Sequence, residues 1–115
     1  MLKGWGSWAF KLKLMHQPVL LEQVIACLDP KPNENFVDCT IGEAGHARAI
    51  LELNAPNGKV LGIDVDAGSL QRLTPQERLI LAHGNFKDLK NIVEENRFLN
   101  ISGILFDLGL SSWQI

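Results

Sequence analysis

Two apolar segments constrain the fold of this chain most. The first leads into a loop of small residues, and the second ends in an acid. The first strand and loop read FVDCTIGEAGH from Phe36 to His46, and the second strand reads VLGID from Val60 to Asp64. Asp64 follows Gly45 by nineteen positions. Such spacing is typical of two neighbouring parallel strands that are connected by a helix. It predicts the beginning of a parallel α/β sheet.

Apolar periodicity along the rest of the chain extends this alternation of strands and helices. We predict strands over residues 35–40, 59–64, 78–83 and 102–107, and helices over 18–28, 46–53, 66–73 and 86–96, with Asp66 as an N-cap. Alternation of this kind requires right-handed crossovers and helices on both faces, so the fold class is α/β. The strands end at polar residues that meet at one carboxyl edge, where such sheets bind ligands: Thr40, Asp64, His83 and Asp107.

Composition limits the classes of function. The 115 residues carry a net charge of −2, which argues against a broad nucleic-acid-binding face, although a local basic patch stays open. Cys27 and Cys39 are expected to be buried free thiols, which fits a reducing, cytoplasmic location. No apolar run is long enough to span a membrane. Residues 1–14 lack the apolar core of a signal peptide, and we expect a weakly ordered extension there.

The loop and the acid together predict a nucleoside-binding site. Small residues let a ligand approach the backbone, and Asp64 can accept hydrogen bonds from both ribose hydroxyls. The loop spacing Gly42-x-Ala44-Gly45 differs from the G-x-G-x-x-G of dinucleotide binders. S-adenosylmethionine fits better, because it has no phosphate and Asp38 brings negative charge near its sulfonium. A nicotinamide cofactor is the less favoured alternative, and Asp64 could instead be a turn or N-cap acid.

Two further positions have both a ligand-binding and a structural interpretation. Phe86 follows the third strand and could stack on adenine, while a neighbouring polar group contacts the amino edge of the base. Alternatively, Phe86 could be the first core position of the next helix. Asp107 ends an apolar strand and could accept hydrogen bonds from an exocyclic amine, taking up positive charge during methyl transfer. Its structural alternative is an acid that caps the following turn.

With these residues in place, the chain resembles the N-terminal part of the MraW/RsmH family of S-adenosylmethionine-dependent (cytosine-N4)-methyltransferases of small-subunit ribosomal RNA. The resemblance runs from His16 to Gln114. Its five motifs are His16-x-Pro18-Val19-Leu20-Leu21-x-x-Val24, Asp38-x-Thr40-x-Gly42-x-Ala44-Gly45-His46, Gly62-Ile63-Asp64-x-Asp66, His83-Gly84-Asn85-Phe86, and Asp107-Leu108-Gly109-x-Ser111-Ser112-x-Gln114.

The resemblance implies a Rossmann-like class I methyltransferase fold with strand order 3-2-1-4, and S-adenosylmethionine as the cofactor, with no metal. It implies cofactor contacts at Ala44, Gly45, His46, Asp64, Phe86, Asp107 and Gln114, with Asp107 also the catalytic residue. Three departures stand out, because the family usually has Gly at position 44, Arg and Pro at positions 65 and 67, and Pro at position 113.

The family's enzymes are much longer than 115 residues and carry an inserted helical domain thought to help hold RNA. We therefore expect residues 15–115 to be the N-terminal half of a methyltransferase domain, in a truncated enzyme, a split gene product or a fragment. The isolated chain is then expected to transfer little methyl, and its fourth strand, left at a sheet edge, to favour association. The alternative is a non-catalytic remnant or an interaction module.

Overall fold

The structure, a computed structural model, describes residues 21–39, 41 and 44–106. These residues form four α-helices, one 3-10 helix and four strands. In chain order they are α1 (Leu21–Leu28), β1 (Asn35–Asp38), α2 (Gly45–Leu53), β2 (Val60–Asp64), α3 (Ala67–Gln71), β3 (Leu79–His83), the 3-10 helix (Phe86–Asp88), α4 (Leu89–Glu95) and β4 (Ile101–Leu105). The predicted extension over residues 1–14 lies outside the described residues.

The described strands form one parallel sheet in the order β3-β2-β1-β4. Helices cover both faces, so the α/β class and the strand order expected from the resemblance are confirmed. On one face, α1 and α2 pack on the sheet through residues such as Val24, Leu28 and Ile50. On the other face, Ile92 of α4 and Phe98 cover the remaining apolar side chains. The sheet therefore brings the carboxyl ends of its strands to one edge.

The predicted elements shift by a few residues at their ends. β1 and β4 end two residues earlier than expected, at Asp38 and Leu105. The helix predicted over 66–73 is shorter, at Ala67–Gln71, but its N-cap is Asp66 as expected, because the carboxylate accepts from the Gly68 N–H at 2.8 Å. The helix predicted over 86–96 begins instead as the 3-10 helix, whose first turn is capped by Asn85.

The two cysteines are free, as predicted, but only one is fully buried. Cys39 is buried, and Cys27 on α1 is half-buried. Burial first, and the Asp38 carboxylate second, raise the pKa of the Cys39 thiol far above its usual range. This thiol is therefore protonated and unreactive at neutral pH. Among the described residues, no helix is long and apolar enough to cross a membrane.

Gly62 in β2 leaves room for the side chain of Ile41, which follows β1. A Cβ on Gly62 would collide with Cδ1 of Ile41 and would stand only 3.1 Å from its Cγ1. The Ile41 backbone N–H donates to the carbonyl oxygen of Ile63 at 3.0 Å, so this segment continues the pairing of β1 with β2. Ile41 can therefore take this position, just before α2, because Gly62 has no side chain.

Candidate functional site at the carboxyl edge of the sheet

The described part of the carboxyl edge brings together three of the segments that the sequence analysis singled out. The loop after β1 leads into α2 at Ala44 and Gly45, and Asp64 ends the neighbouring strand β2. His83 ends β3 and is paired in register with Asp64. Asp64, a predicted site residue, and His83, a predicted strand end, therefore stand at adjacent positions on one edge.

The turn into α2 has an unusual backbone conformation at Ala44. This residue has φ 66° and ψ 21°, in the left-handed region that favours glycine, and its side chain is buried. Its N–H donates to the Ile41 carbonyl at 2.7 Å, and its own carbonyl accepts from the Arg48 N–H at 2.9 Å. Around Gly45, by contrast, no described heavy atom beyond its own chain surroundings lies within 4 Å of where a Cβ would stand. The backbone at Gly45 is therefore open to a ligand.

Replacing Ala44 with glycine is expected to change the free energy of unfolding by less than ~1 kcal/mol. Glycine relieves a left-handed strain of about 1–2 kcal/mol. It also forfeits the buried methyl group, worth ~0.8 kcal/mol, and gains freedom in the unfolded chain, worth about 0.4–1 kcal/mol. Urea denaturation measures the difference. Ala44→Val is the matched variant, and it should destabilise by ~2 kcal/mol because a branched side chain suits neither the backbone conformation nor the packed site. If Ala44→Val were as stable as wild type, the backbone at Ala44 would not be strained in the way proposed.

Asp64 is held in a tight turn at the end of β2. Its side chain is 8% exposed, and Oδ1 accepts from the Asp66 N–H at 2.9 Å. The helix N-cap is Asp66 rather than Asp64, and the Gly68 N–H first, then the Ser69 hydroxyl, lower the pKa of the Asp66 carboxyl. Asp64 is therefore not the N-cap, but the hydrogen bond from the Asp66 N–H confirms the alternative that Asp64 is an acid in a turn. The ribose-binding role of Asp64 stays a prediction.

Phe86 lies outside the core. Its side chain is 44% exposed, so the alternative that made it a first core position is wrong. Its ring forms a T-shaped pair with the ring of Phe106, with ring centroids 5.7 Å apart and an interplanar angle of 84°. Asn85, one of its polar neighbours, uses its side-chain oxygen to accept from the Lys87 N–H at 2.9 Å. An exposed ring is compatible with stacking on adenine, which stays a prediction.

Some of the predicted residues lie outside the part of the chain that the structure describes, and the roles of others stay predictions. Asp107 and Gln114 lie outside the described residues, as do Thr40 and Gly42. His46, on the first turn of α2, is half-buried. Asp38 is almost fully buried at the end of β1, and its influence on a cationic ligand stays a prediction.

A cavity of about 800 Å³ lies at the opposite, amino edge of the sheet. It contains none of the predicted site residues. Its lining is largely polar and includes Asn35, Lys59, Glu77, Arg78 and Arg97. Many of these groups bond within the chain: Asn35, for example, donates to the Leu99 carbonyl at 3.0 Å and accepts from the Lys59 N–H at 2.9 Å.

A parallel sheet in this order, with a small-residue turn after β1 and an acid at the end of β2, defines a Rossmann-like α/β protein. The chain belongs to the MraW methylase family, whose sequence model matches residues 13–115. The resemblance noted from the five motifs is thereby confirmed.

Curated relatives carry the same name in different organisms. A protein of Syntrophotalea carbinolica named Ribosomal RNA small subunit methyltransferase H is 46% identical over 105 residues, which cover 87% of this chain and 33% of that protein. The protein of that name in Thermomicrobium roseum is 43% identical over 109 residues, covering 90% of this chain and 33% of the relative. That of Syntrophus aciditrophicus is 44% identical over 105 residues, with 87% and 33% covered. The chain thus spans about a third of the length of these relatives.

Proposed function

We propose that this chain binds S-adenosylmethionine at the carboxyl edge of its sheet and supplies the cofactor-binding half of an enzyme that methylates N4 of a cytosine in small-subunit ribosomal RNA. Membership of the MraW methylase family and the names of the relatives support the substrate class. A ribosomal RNA substrate implies a cytoplasmic reaction, with which the two free thiols are compatible.

The arrangement of Gly45 and Asp64 carries the cofactor part of the proposal. No described residue fills the space where a side chain of Gly45 would stand, which supports the approach of a ligand to the backbone there. Asp64 ends the adjacent strand, and the Asp66 N–H holds its carboxylate in a defined orientation. A carboxylate at this position suits the two hydroxyls of a ribose. Ala44 and His46 would contact the same ligand, and the exposed ring of Phe86 would stack on its adenine.

The reaction divides between the cofactor and the chain. S-adenosylmethionine supplies an electrophilic methyl group on a sulfonium. The exocyclic amine of cytosine is a weak nucleophile because its lone pair is delocalised into the ring. We assign to Asp107 the acceptance of hydrogen bonds from that amine, which localises the lone pair and offsets the developing positive charge. Gln114 would close the site beside the methyl group, and both residues follow β4 in the sequence.

A chimeric enzyme tests the proposed reaction. Residues 13–115 of this chain would replace the matching third of the Syntrophotalea carbinolica relative, and calorimetry would first check that the chimera binds S-adenosylmethionine. Mass spectrometry of nucleosides from treated small-subunit ribosomal RNA should then reveal N4-methylcytidine. The same chimera with Asp107→Ala loses a proposed cofactor contact as well, so it is compared at a saturating cofactor concentration, where it should form at least ~100-fold less product. A chimera that binds the cofactor yet forms no N4-methylcytidine, or one that prefers NAD, would refute the proposal.

A further inference from the structure

His83 makes a contact that the sequence analysis did not foresee. It ends β3 beside Asp64, and its ring Nε2 lies 2.9 Å from the carbonyl oxygen of Val65. A carbonyl oxygen only accepts hydrogen bonds, so Nε2 carries the proton and donates. The contact joins the end of one strand to the turn that follows its neighbour, although the two residues are eighteen positions apart in the chain.

The peptide unit between Val65 and Asp66 is therefore held at both of its polar ends. Its carbonyl oxygen accepts from His83, and its N–H donates to Oδ1 of Asp64 at 2.9 Å. A peptide unit is planar, so a bond that fixes the carbonyl also fixes the direction of the N–H. Hydrogen bonds in such a chain also polarise one another, which strengthens the bond to Asp64. His83 thus acts on the Asp64 carboxylate without touching it.

We propose that His83 is a positioning residue that orients the Asp64 carboxylate toward the cofactor ribose through the Val65–Asp66 peptide unit. This inference rests on the proposed cofactor role of Asp64. His83 itself need not touch the ligand. Loss of its donor loosens the peptide unit, and the hydrogen bond by which the Asp66 N–H orients Oδ1 of Asp64 is weakened.

Two substitutions separate the hydrogen bond from the bulk of the side chain. His83→Leu keeps a similar volume without a donor, and His83→Gln places an N–H donor at about the same distance from the backbone as Nε2. By calorimetry, His83→Leu should bind S-adenosylmethionine about five- to tenfold more weakly than wild type. His83→Gln should bind within about twofold of wild type, since one retained hydrogen bond is what distinguishes the two variants. Thermal unfolding checks that both variants are folded.

A double-mutant cycle tests whether His83 acts through Asp64. In an Asp64→Ala background, His83→Leu should cause almost no further loss of affinity, because the carboxylate that it orients is absent. Amide exchange measured by NMR gives a readout that needs no ligand. The Asp66 N–H should exchange faster with solvent in His83→Leu than in wild type, and at the wild-type rate in His83→Gln.

The outcomes distinguish a failure of the positioning role of His83 from a failure of the proposed cofactor site. Wild-type affinity in His83→Leu, together with weak binding by Asp64→Ala, would overturn the positioning role and leave the cofactor site standing. Equal losses in His83→Leu and His83→Gln would also overturn it, since a donor would then make no difference. A wild-type chain that binds no S-adenosylmethionine would refute the proposed function, and the positioning role would fall with it.

Discussion

Replacing Asp64 with alanine is expected to weaken the binding of S-adenosylmethionine about 100-fold, because two charge-assisted hydrogen bonds to the ribose are worth about 1.5 kcal/mol each. The substitution also removes the acceptor for the Asp66 N–H. That N–H lies on an exposed turn, where water can replace the lost partner. The main expected loss is therefore in the dissociation constant, measured by isothermal titration calorimetry, and not in the fold.

Two neighbouring variants show which property of Asp64 matters. Asp64→Asn keeps an oxygen for the Asp66 N–H but removes the charge and one acceptor, so we expect binding about tenfold weaker than wild type. Asp66→Asn removes the same charge two residues away and keeps an N-cap, since asparagine caps helices about as well as aspartate. It should bind within about twofold of wild type, because a charge in an exposed turn acts weakly on its surroundings.

The same set of variants can contradict the ribose-binding role. If Asp64→Ala and Asp66→Asn weakened binding equally, the effect would be a general one of negative charge at this edge. If Asp64→Ala bound as well as wild type, the acid at the end of β2 would be only a member of the turn. S-adenosylhomocysteine, which lacks the methyl group and the positive charge, serves as a second ligand. Asp64→Ala should weaken its binding by a similar factor, because the ribose is unchanged.

Local patterns predicted most of the fold because each depends on residues close in the sequence. Apolar spacing and small residues predict a strand and a helix on either side of the loop between Phe36 and Leu53, and the structure confirms that strand and that helix. The Asp66 N-cap was predicted because capping acts over two or three residues. The strand order came from the family resemblance, since periodicity alone does not say which strands are neighbours.

The features that the sequence did not predict depend on contacts between segments that are distant along the chain. Whether Phe86 is exposed depends on what packs against it, and spacing left its two interpretations equal. The partner of His83 is eighteen residues away, so no local pattern marks the bond. The positive φ of Ala44 was unforeseen because alanine rarely adopts it, although the family's usual glycine at this position was a signal for a special backbone.

Asn54, at the amino edge of the sheet, is the clearest such omission, and its substitution should have the largest effect on stability. It is the residue directly after α2, and no pattern in the sequence marks it as buried. The structure buries it completely. Its side-chain N–H donates to the Glu34 carbonyl at 2.8 Å, and its side-chain oxygen accepts from Arg78 at 3.0 Å. It therefore connects the segments that lead into β1 and β3 with the end of α2.

The Arg78 guanidinium extends this connection. Nη1 also donates to the Gly58 carbonyl at 2.7 Å, and Nη2 donates to the Leu51 carbonyl at 2.8 Å. Leu51 lies in the last turn of α2, where a positive charge is favourable because the helix carbonyls point toward it. Because the guanidinium is half-buried, the loss of one acceptor leaves an N–H of a charged group poorly solvated.

Asn54→Ala is expected to lower the free energy of unfolding by ~3 kcal/mol, since it removes the buried amide donor to the Glu34 carbonyl and one acceptor of the charged Arg78 guanidinium. The backbone bonds of Asn54, whose carbonyl accepts from the N–H groups of Asn33 and Gly58, survive the substitution, so the fold should be retained. Urea denaturation measures the change. Asn57→Ala alters the same residue type in the same turn at an exposed position, and should change stability by less than ~0.5 kcal/mol. Equal effects of the two substitutions would mean that the buried amide of Asn54 contributes nothing specific, and that the amino edge is held by backbone bonds alone.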